Sequence, residues 1–142
     1  MPFHNAEKTL ENAIDSILAQ SYKNFTLYLI DNFSTDNSLT IVENKKKIDS
    51  RIVLIKNKKN LGISKSLNLI ISKIDTKYIA RMDADDFSYK ERFHNQIDFL
   101  EANEKIDILG TNVDYFDVNE YFLSASNLPL SDGLIKKNLS MN

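Results

Sequence analysis

Hydrophobic residues recur along the chain with two alternating periods. Between residues 10 and 18 they are spaced three or four apart, which predicts an amphipathic helix with Asn5 as its N-cap and Glu7 in its first turn. Short apolar runs elsewhere predict buried strands. The other predicted elements are strands over 25–30, 51–55, 78–82 and 106–113, helices over 39–47, 63–74 and 93–100, a hairpin over 115–123, and a loop that enters a helix over 128–142.

This alternation of strands and helices predicts an α/β fold with a mostly parallel sheet and helices on both faces. Sheets of this kind bind ligands at the carboxyl ends of their strands. Asp31 ends one predicted strand and Asp83 ends another. We therefore expect both carboxylates to reach the same edge of the sheet.

Composition and charge narrow the class of protein. A length of 142 residues predicts a single domain. With a net charge of -2 and a pI near 5.7, the chain lacks the excess of basic residues that is typical of nucleic-acid-binding proteins. The absence of Cys excludes disulfides and thiolate metal sites, and no apolar run approaches the roughly 18 residues of a membrane span. We expect a cytoplasmic domain with no nucleic-acid partner and no transmembrane segment in this chain.

An acidic stretch follows the predicted strand over 78–82. Asp83 and Asp85 are two positions apart, and alternate side chains of an extended chain share a face, so both carboxylates can point into one volume. Hard oxygen ligands of this kind suit Mg²⁺ or Mn²⁺, which bind substrate phosphates as well. The alternative is a polar loop in which Asp83 or Asp86 caps the following helix, and spacing alone favours neither.

Two other polar groups follow predicted strands. Asp31 and Asn32 can hydrogen-bond to a base or a ribose, although a local turn closed by their own side chains is the alternative. Asn60 and Gly62 predict a turn that leads into a helix, whose N-terminus and Lys65 could face a phosphate. Without further glycines, a turn with no ligand is the favoured interpretation there.

Four segments together resemble one family. In chain order they are MPFHNAEKTLENAIDSILAQSYKNF, LYLIDNFSTDNSL, NKKNLGISKSLN and YIARMDADDFSYKERFHNQIDFLE. Their order and spacing resemble family 2 glycosyltransferases with the Rossmann-like GT-A fold, in particular bacterial enzymes that build lipopolysaccharide, capsule or related surface glycans. The resemblance implies transfer of a sugar, with inversion, from a nucleotide-diphosphate donor (UDP before other nucleotides) to a glycan or lipid-linked acceptor.

The resemblance also implies roles for individual residues. Asp85 would contact Mn²⁺ or Mg²⁺ directly, while Asp83 would contact the ribose or reach the metal through water. His4 would lie beside the base that Asp31 and Asn32 recognise. The implied residues for binding the nucleotide sugar are Pro2, His4, Glu7, Asp31, Asn32, Lys65, Asp83 and Ala84.

The ends of the chain depart from the family pattern. Members carry a hydrophobic strand before the position of Pro2 and continue past Asn142 with acceptor-binding segments and a catalytic base. We therefore expect residues 1–142 to be the donor-binding part of a single GT-A domain, truncated at both ends, without the base and inactive alone. The parent enzyme would be cytoplasmic or peripheral at the inner face of the membrane. The alternative function is a non-catalytic nucleotide-binding or interaction domain from a truncated gene.

Overall fold

Three parallel strands form a sheet in the order β1-β2-β3. This computed structural model describes residues 1–117, 119 and 121–139, and it divides the chain into two units, Met1–Ala102 and Asn103–Asn142. The elements of the first unit are β1 (Pro2–Phe3), α1 (Leu10–Leu18), β2 (Leu27–Asp31), α2 (Ser38–Ile48), β3 (Ile52–Lys56), α3 (Ile63–Ile71) and α4 (Arg92–Ala102). The parallel strands connected by helices confirm the predicted α/β class.

The central strand β2 provides much of the core. It has a strand on each side, with Pro2 paired to Ile30 and Leu27 paired to Ile52, and the successive residues Leu29 and Ile30, which face opposite sides of the sheet, are both almost fully buried. The apolar run that predicted this strand is therefore typical of a parallel strand covered on both faces.

Helix α1 packs its apolar face into the same core. Leu10 and Ile14 are fully buried, as the three-to-four-residue period predicted. On the opposite side, Lys45 of α2 pairs with Glu11 and Asp15 of α1 at 3.0 and 2.7 Å. Both carboxylates are more than half exposed, so the buried side chains contribute more to this helix pair than the ion pairs do.

The predicted strand over 78–82 is not formed. Only Pro2 and Phe3 make up β1, so the sheet offers very little backbone on which a further strand could pair. Met82 is nevertheless buried in the core, while Ile79 is 54% exposed. The apolar residues of this segment are thus only partly buried. The prediction of a strand here is wrong.

Two helix predictions also need correction. Asn5 is not the N-cap of α1, since the N-cap position is Thr9 and the Asn5 side chain bonds to Thr35. Helix α3 ends at Ile71 instead of 74, and only Ser66 and Ile70 on it are buried. Much of the apolar face predicted for α3 is thus exposed, including Ile63.

The second unit contains the predicted hairpin. Strands β4 (Asp114–Phe116) and β5 (Phe122–Ala125) pair antiparallel, and the rings of Phe116 and Phe122 meet edge to face at 5.8 Å. The predicted strand over 106–113 is absent, because no strand of this unit pairs with it among the described residues. Helix α5 (Asp132–Leu139) begins within the predicted tail, and 118, 120 and 140–142 lie outside the described residues.

None of the helices over the described ranges combines the length and the apolar character that a membrane span requires.

Candidate functional site

The carboxyl ends of the three strands are joined by backbone hydrogen bonds. Phe3 is in register with Asp31, and the amide of Asn32 donates to the carbonyl of Phe3 at 2.8 Å. On the other side, the amide of Asn57 donates to the carbonyl of Asp31 at 2.9 Å. The loops that follow β1, β2 and β3 therefore start from one edge, as parallel strands require.

Asn32 connects β2 to the loop after β3. Its side-chain Oδ1 accepts hydrogen bonds from the amide of Leu61 (2.8 Å), from Asn57 Nδ2 (3.2 Å) and from Ser66 Oγ (3.2 Å). Its Nδ2 donates to Asn60 Oδ1 at 2.8 Å. With 4% of the residue exposed, Asn32 has both ends of its amide engaged by the protein.

The loop over 57–62 leads into α3 through a turn. Asn60 Oδ1 also accepts the amide of Gly62 at 2.9 Å, and Gly62 has a φ of 76°, a conformation that glycine adopts without strain. This is the turn that the sequence predicted. Lys65 lies exposed in the first turns of α3, directly before the buried Ser66 that bonds to Asn32.

A second set of contacts joins the loops after β1 and β2, and we name it the loop clasp (Asn5–Glu7 with Ser34–Ser38). Asn5 Oδ1 accepts the amide of Thr35 at 2.8 Å, and the amide of Asn5 donates to Ser34 Oγ at 3.1 Å. Both Asn5 and Phe33 have positive φ, 50° and 70°. A left-handed conformation is costly for Phe, so the surrounding contacts must hold this turn in place.

The clasp continues with reciprocal bonds at two helix N-termini. The amide of Ala6 donates to Ser38 Oγ at 2.8 Å, and the amide of Glu7 donates to Asp36 Oδ2 at 3.0 Å. In return, Glu7 Oε2 accepts the amide of Asn37, the N-cap of α2, at 3.0 Å. Glu7 was predicted to lie in the first turn of α1, but it precedes that helix, and its carboxylate contact is at the start of α2.

Removing the hydroxyl of Ser38 should loosen the clasp. Ser38 is fully buried, so Ser38→Ala leaves the amide of Ala6 without its acceptor and should lower the free energy of unfolding by about 1 to 2 kcal/mol. Urea denaturation measures this change. The matched control is Ser50→Ala at an exposed position, for which we expect a change below about 0.5 kcal/mol. Equal effects of the two substitutions would contradict the prediction.

Asp31 and the β1 residues lie together at this edge. Asp31 is 4% exposed, and its Oδ1 accepts the amide of Ser34 at 2.9 Å. The local turn that the sequence left open as an alternative is therefore present, and it occupies one carboxylate oxygen. Pro2 is buried within β1, whereas His4 is exposed directly after it.

The acidic residues lie in a turn instead of extended chain. The amide of Asp86 lies 3.4 Å from the carbonyl of Asp83, so 83–86 form a turn, and the alternation expected for a strand does not apply. Ala84 is buried in the core, while Asp83 is half-buried and Asp85 is exposed. Both carboxylates are thus more open to solvent than the alanine between them. Neither Asp83 nor Asp86 caps the next helix, since α4 begins at Arg92.

Neighbouring charges bear on whether this turn fits a divalent cation. Arg81 donates to both oxygens of Asp83, at 2.6 and 2.7 Å. No cluster of three or more potential metal-ligating side chains occurs within the ranges that the structure describes. A Mg²⁺ or Mn²⁺ ion held by one or two carboxylates together with substrate phosphates needs no such cluster. The donor chemistry therefore fits, with Asp85 the freer carboxylate and Asp83 shared with Arg81.

The structure connects some of the predicted site residues and leaves others apart. Register and hydrogen bonds bring the β1 edge, Asp31, Asn32 and α3 together. Burial lowers the pKa of the Met1 amino group to about 6, and the charge of Asp83 opposes that shift. No hydrogen bond or ion pair of the described residues links Asp85 to Asp31.

Sequence reasoning missed several of the polar residues that hold these loops. Ser38, Asn57 and Ser66 were not singled out, although each bonds across the edge described above. Ser16 and Gln20 were also missed, and both are buried beside the core face of α1. The available signal was small: polar side chains at helical spacing among apolar ones, such as Ser16 between Ala13 and Ile17.

Comparison with known proteins yields one family. Residues 1–140 match the model described as Glycosyl transferase family 2. EpsE of Bacillus subtilis, which carries the name of a glycosyltransferase, is 42% identical over 118 residues, which are 82% of this chain and 42% of EpsE. This chain thus spans less than half the length of that relative.

Solved structures share the fold. S. aureus TarS 1-349 in complex with UDP-GlcNAc matches with a TM-score of 0.67 at 24% identity, over 72% of this chain and 30% of that chain. The mannosyltransferase PcManGT from Pyrobaculum calidifontis, in complex with GDP-Man and Mn²⁺, matches with a TM-score of 0.65 at 20% identity, over 70% of this chain and 30% of that one. At these identities the likeness is one of fold.

Proposed function

Since the chain belongs to glycosyl transferase family 2 and has the GT-A fold, we propose that residues 1–142 form the donor-binding part of an enzyme that transfers a sugar from a nucleoside diphosphate sugar with inversion. The observation that carries this proposal is the family match over residues 1–140, which includes Asp31 and the acidic turn. The acceptor is a glycan or a lipid-linked glycan. We assign no catalytic base within these residues, so the fragment binds donor without transferring sugar.

The carboxyl edge of the sheet is the proposed nucleotide site. Asp31 has one carboxylate oxygen bonded to the amide of Ser34 and uses the other for the base or ribose. Asn32 has both ends of its side-chain amide bonded to protein partners, and it acts by fixing the loop over 57–62. His4, exposed at the end of β1, lies beside the base. UDP is the favoured nucleotide, and the fold neighbour TarS in complex with UDP-GlcNAc supports that choice.

The acidic turn is the proposed site of the diphosphate. A divalent cation, when bound, would stabilise the negative charge that develops on the departing diphosphate. Asp85 would hold it directly, because its carboxylate is exposed and Asp83 is paired with Arg81. Asp83 stays with Arg81 and contacts the ribose or a bound water. The Mn²⁺ in the PcManGT complex supports a metal-dependent site of this kind.

Calorimetric titration with UDP, in the presence and absence of Mn²⁺, tests this proposal. We expect Mn²⁺ to raise the affinity for UDP by about tenfold or more, and Asp85→Ala to abolish that gain. The matched control is Asp75→Ala, which removes the same charge from an exposed position outside the acidic turn and should keep the gain.

Two results would overturn the assignment. Wild-type chain that binds UDP no better with Mn²⁺ than without it would remove the metal from the proposal. Asp85→Ala that keeps the full gain would remove Asp85 from it. A parallel titration with GDP decides the nucleotide, since a tighter complex with GDP contradicts the choice of UDP.

A further inference from the structure

Gln20 is a fully buried amide that bonds to a distant part of the chain. Its Nε2 lies 2.8 Å from the carbonyl of Tyr89, 3.1 Å from Ser88 Oγ and 3.2 Å from the carbonyl of Ser16. Its Oε1 accepts the amide of Phe93 at 3.0 Å. The orientation of the amide follows from these partners, because Nε2 faces oxygens and Oε1 faces an N–H group.

Two neighbours of Gln20 hold the same distant segment. Ser16 Oγ accepts the amide of Ser88 at 3.0 Å and donates to the carbonyl of Ala13 at 2.8 Å. The amide of Ser21 donates to the carbonyl of Lys90 at 2.9 Å. The last turn of α1 and the residues that follow it therefore make several polar contacts to residues 88–93. Gln20, Ser16 and Ser88, which make these contacts, are buried.

Residues 88–93 follow the acidic turn over 83–86, with only Phe87 between them. That turn belongs to no helix or strand, and its own hydrogen bond is long, 3.4 Å between the amide of Asp86 and the carbonyl of Asp83. Its position therefore depends on what holds its two sides. Met82 before the turn and Ala84 within it are packed in the core, and the contacts of Gln20 hold the chain after the turn.

We propose that Gln20 is a positioning residue for the acidic turn: by fixing residues 88–93 to the end of α1, it holds Asp85 where the metal and the diphosphate bind. This inference rests on the proposed function of Asp85. Gln20 touches neither ligand and acts through the backbone of Ser88, Tyr89 and Phe93. Without it, the amide of Phe93 loses the acceptor Gln20 Oε1, and the carbonyl of Tyr89 loses the Gln20 donor while it still accepts the amide of Arg92 at 3.0 Å.

Three variants test the role of Gln20. Gln20→Met keeps the length of the side chain and removes all its hydrogen bonds. Ser88→Ala is milder, since it removes one partner of Gln20 and leaves the carbonyl of Tyr89 in place. Gln96→Met is the matched control, because Gln96 lies half-buried on α4 and the described structure records no hydrogen bond of its side chain.

Amide hydrogen exchange is the first readout. In Gln20→Met we expect exchange over 84–93 to accelerate by about tenfold or more, while β2 exchanges as in the wild type. Ser88→Ala should shift the same peptides less, and Gln96→Met should not shift them. Acceleration of β2 to the same degree, or none over 84–93, would overturn the proposal, because Gln20 would then act on the whole core or not at all.

The affinity for UDP is the second readout. In Gln20→Met, the increase in UDP affinity that Mn²⁺ gives should be about tenfold smaller than in the wild type. The affinity for UDP without metal should be unchanged. Faster exchange over 84–93 with the full gain retained would overturn the role of Gln20 at the metal site. Wild-type chain without any Mn²⁺-dependent gain refutes the function proposed for Asp85, and the exchange data alone then decide whether Gln20 anchors the segment.

Discussion

Asn32→Ala is expected to lower the free energy of unfolding by about 3 kcal/mol. The substitution removes the common acceptor of the Leu61 amide, of Asn57 Nδ2 and of the Ser66 hydroxyl. Ser66 is fully buried, so its hydroxyl has no access to water that could replace the lost bond. Urea denaturation with a linear extrapolation to water measures the loss.

A nearby asparagine gives the matched control for Asn32. Asn68 lies exposed on α3, and Asn68→Ala should change stability by less than about 0.5 kcal/mol. Asn32→Asp gives a finer test, because it keeps the acceptor Oδ1 but replaces the Nδ2 that donates to Asn60 with a second acceptor oxygen. We expect a loss between those of the two alanine variants, and a loss for Asn32→Ala no larger than for Asn68→Ala would contradict the network.

The stability of the chain with a free amino group at Met1 is expected to fall as the pH drops from 8 to 6. Burial lowers the pKa of this amino group from 8.0 to about 6, and the group donates to the carbonyl of Tyr28 at 2.7 Å. Between these values the unfolded chain binds a proton that the folded chain does not bind, so acid favours unfolding. The stability contribution is complete above pH 8, and its full size is about 3 kcal/mol.

Denaturation curves at pH 6, 7 and 8 measure this slope, with mass spectrometry confirming that Met1 is retained. The control is the same chain acetylated at its N-terminus, which has no group to titrate there. Its slope in this window should be close to zero, whatever its absolute stability. Equal slopes for the free and acetylated chains would assign the pH dependence to other groups.

The sequence predicted best where an element buries a face against a neighbour close in the chain. The period of α1 and the apolar run of β2 were enough, because Leu10, Ile14 and Leu29 are fully buried. The same kind of run over 78–82 and 106–113 predicted strands that do not form. A strand needs a paired backbone as well as apolar side chains, and a sequence pattern gives no information about the partner.

At the candidate site, the sequence predicted positions better than contacts. It placed Asp31 at the end of β2, and the structure agrees. It did not show that the Asn32 side chain would bond to Asn60 and Leu61, because those bonds depend on how the loop after β3 returns to β2. Gln20 is the extreme case, since its partners Ser88, Tyr89 and Phe93 follow it by 68 or more positions.

The position of β2 between β1 and β3 has a consequence for the order of folding. Each neighbour reaches β2 only after the chain closes a crossover that contains one helix, α1 for one and α2 for the other. Crossovers of similar length have similar closure entropies, so neither pairing has a marked entropic advantage. Both pairings share β2, and any partly formed state in which only two strands of the parallel sheet are paired must therefore contain this strand, whichever crossover closes first.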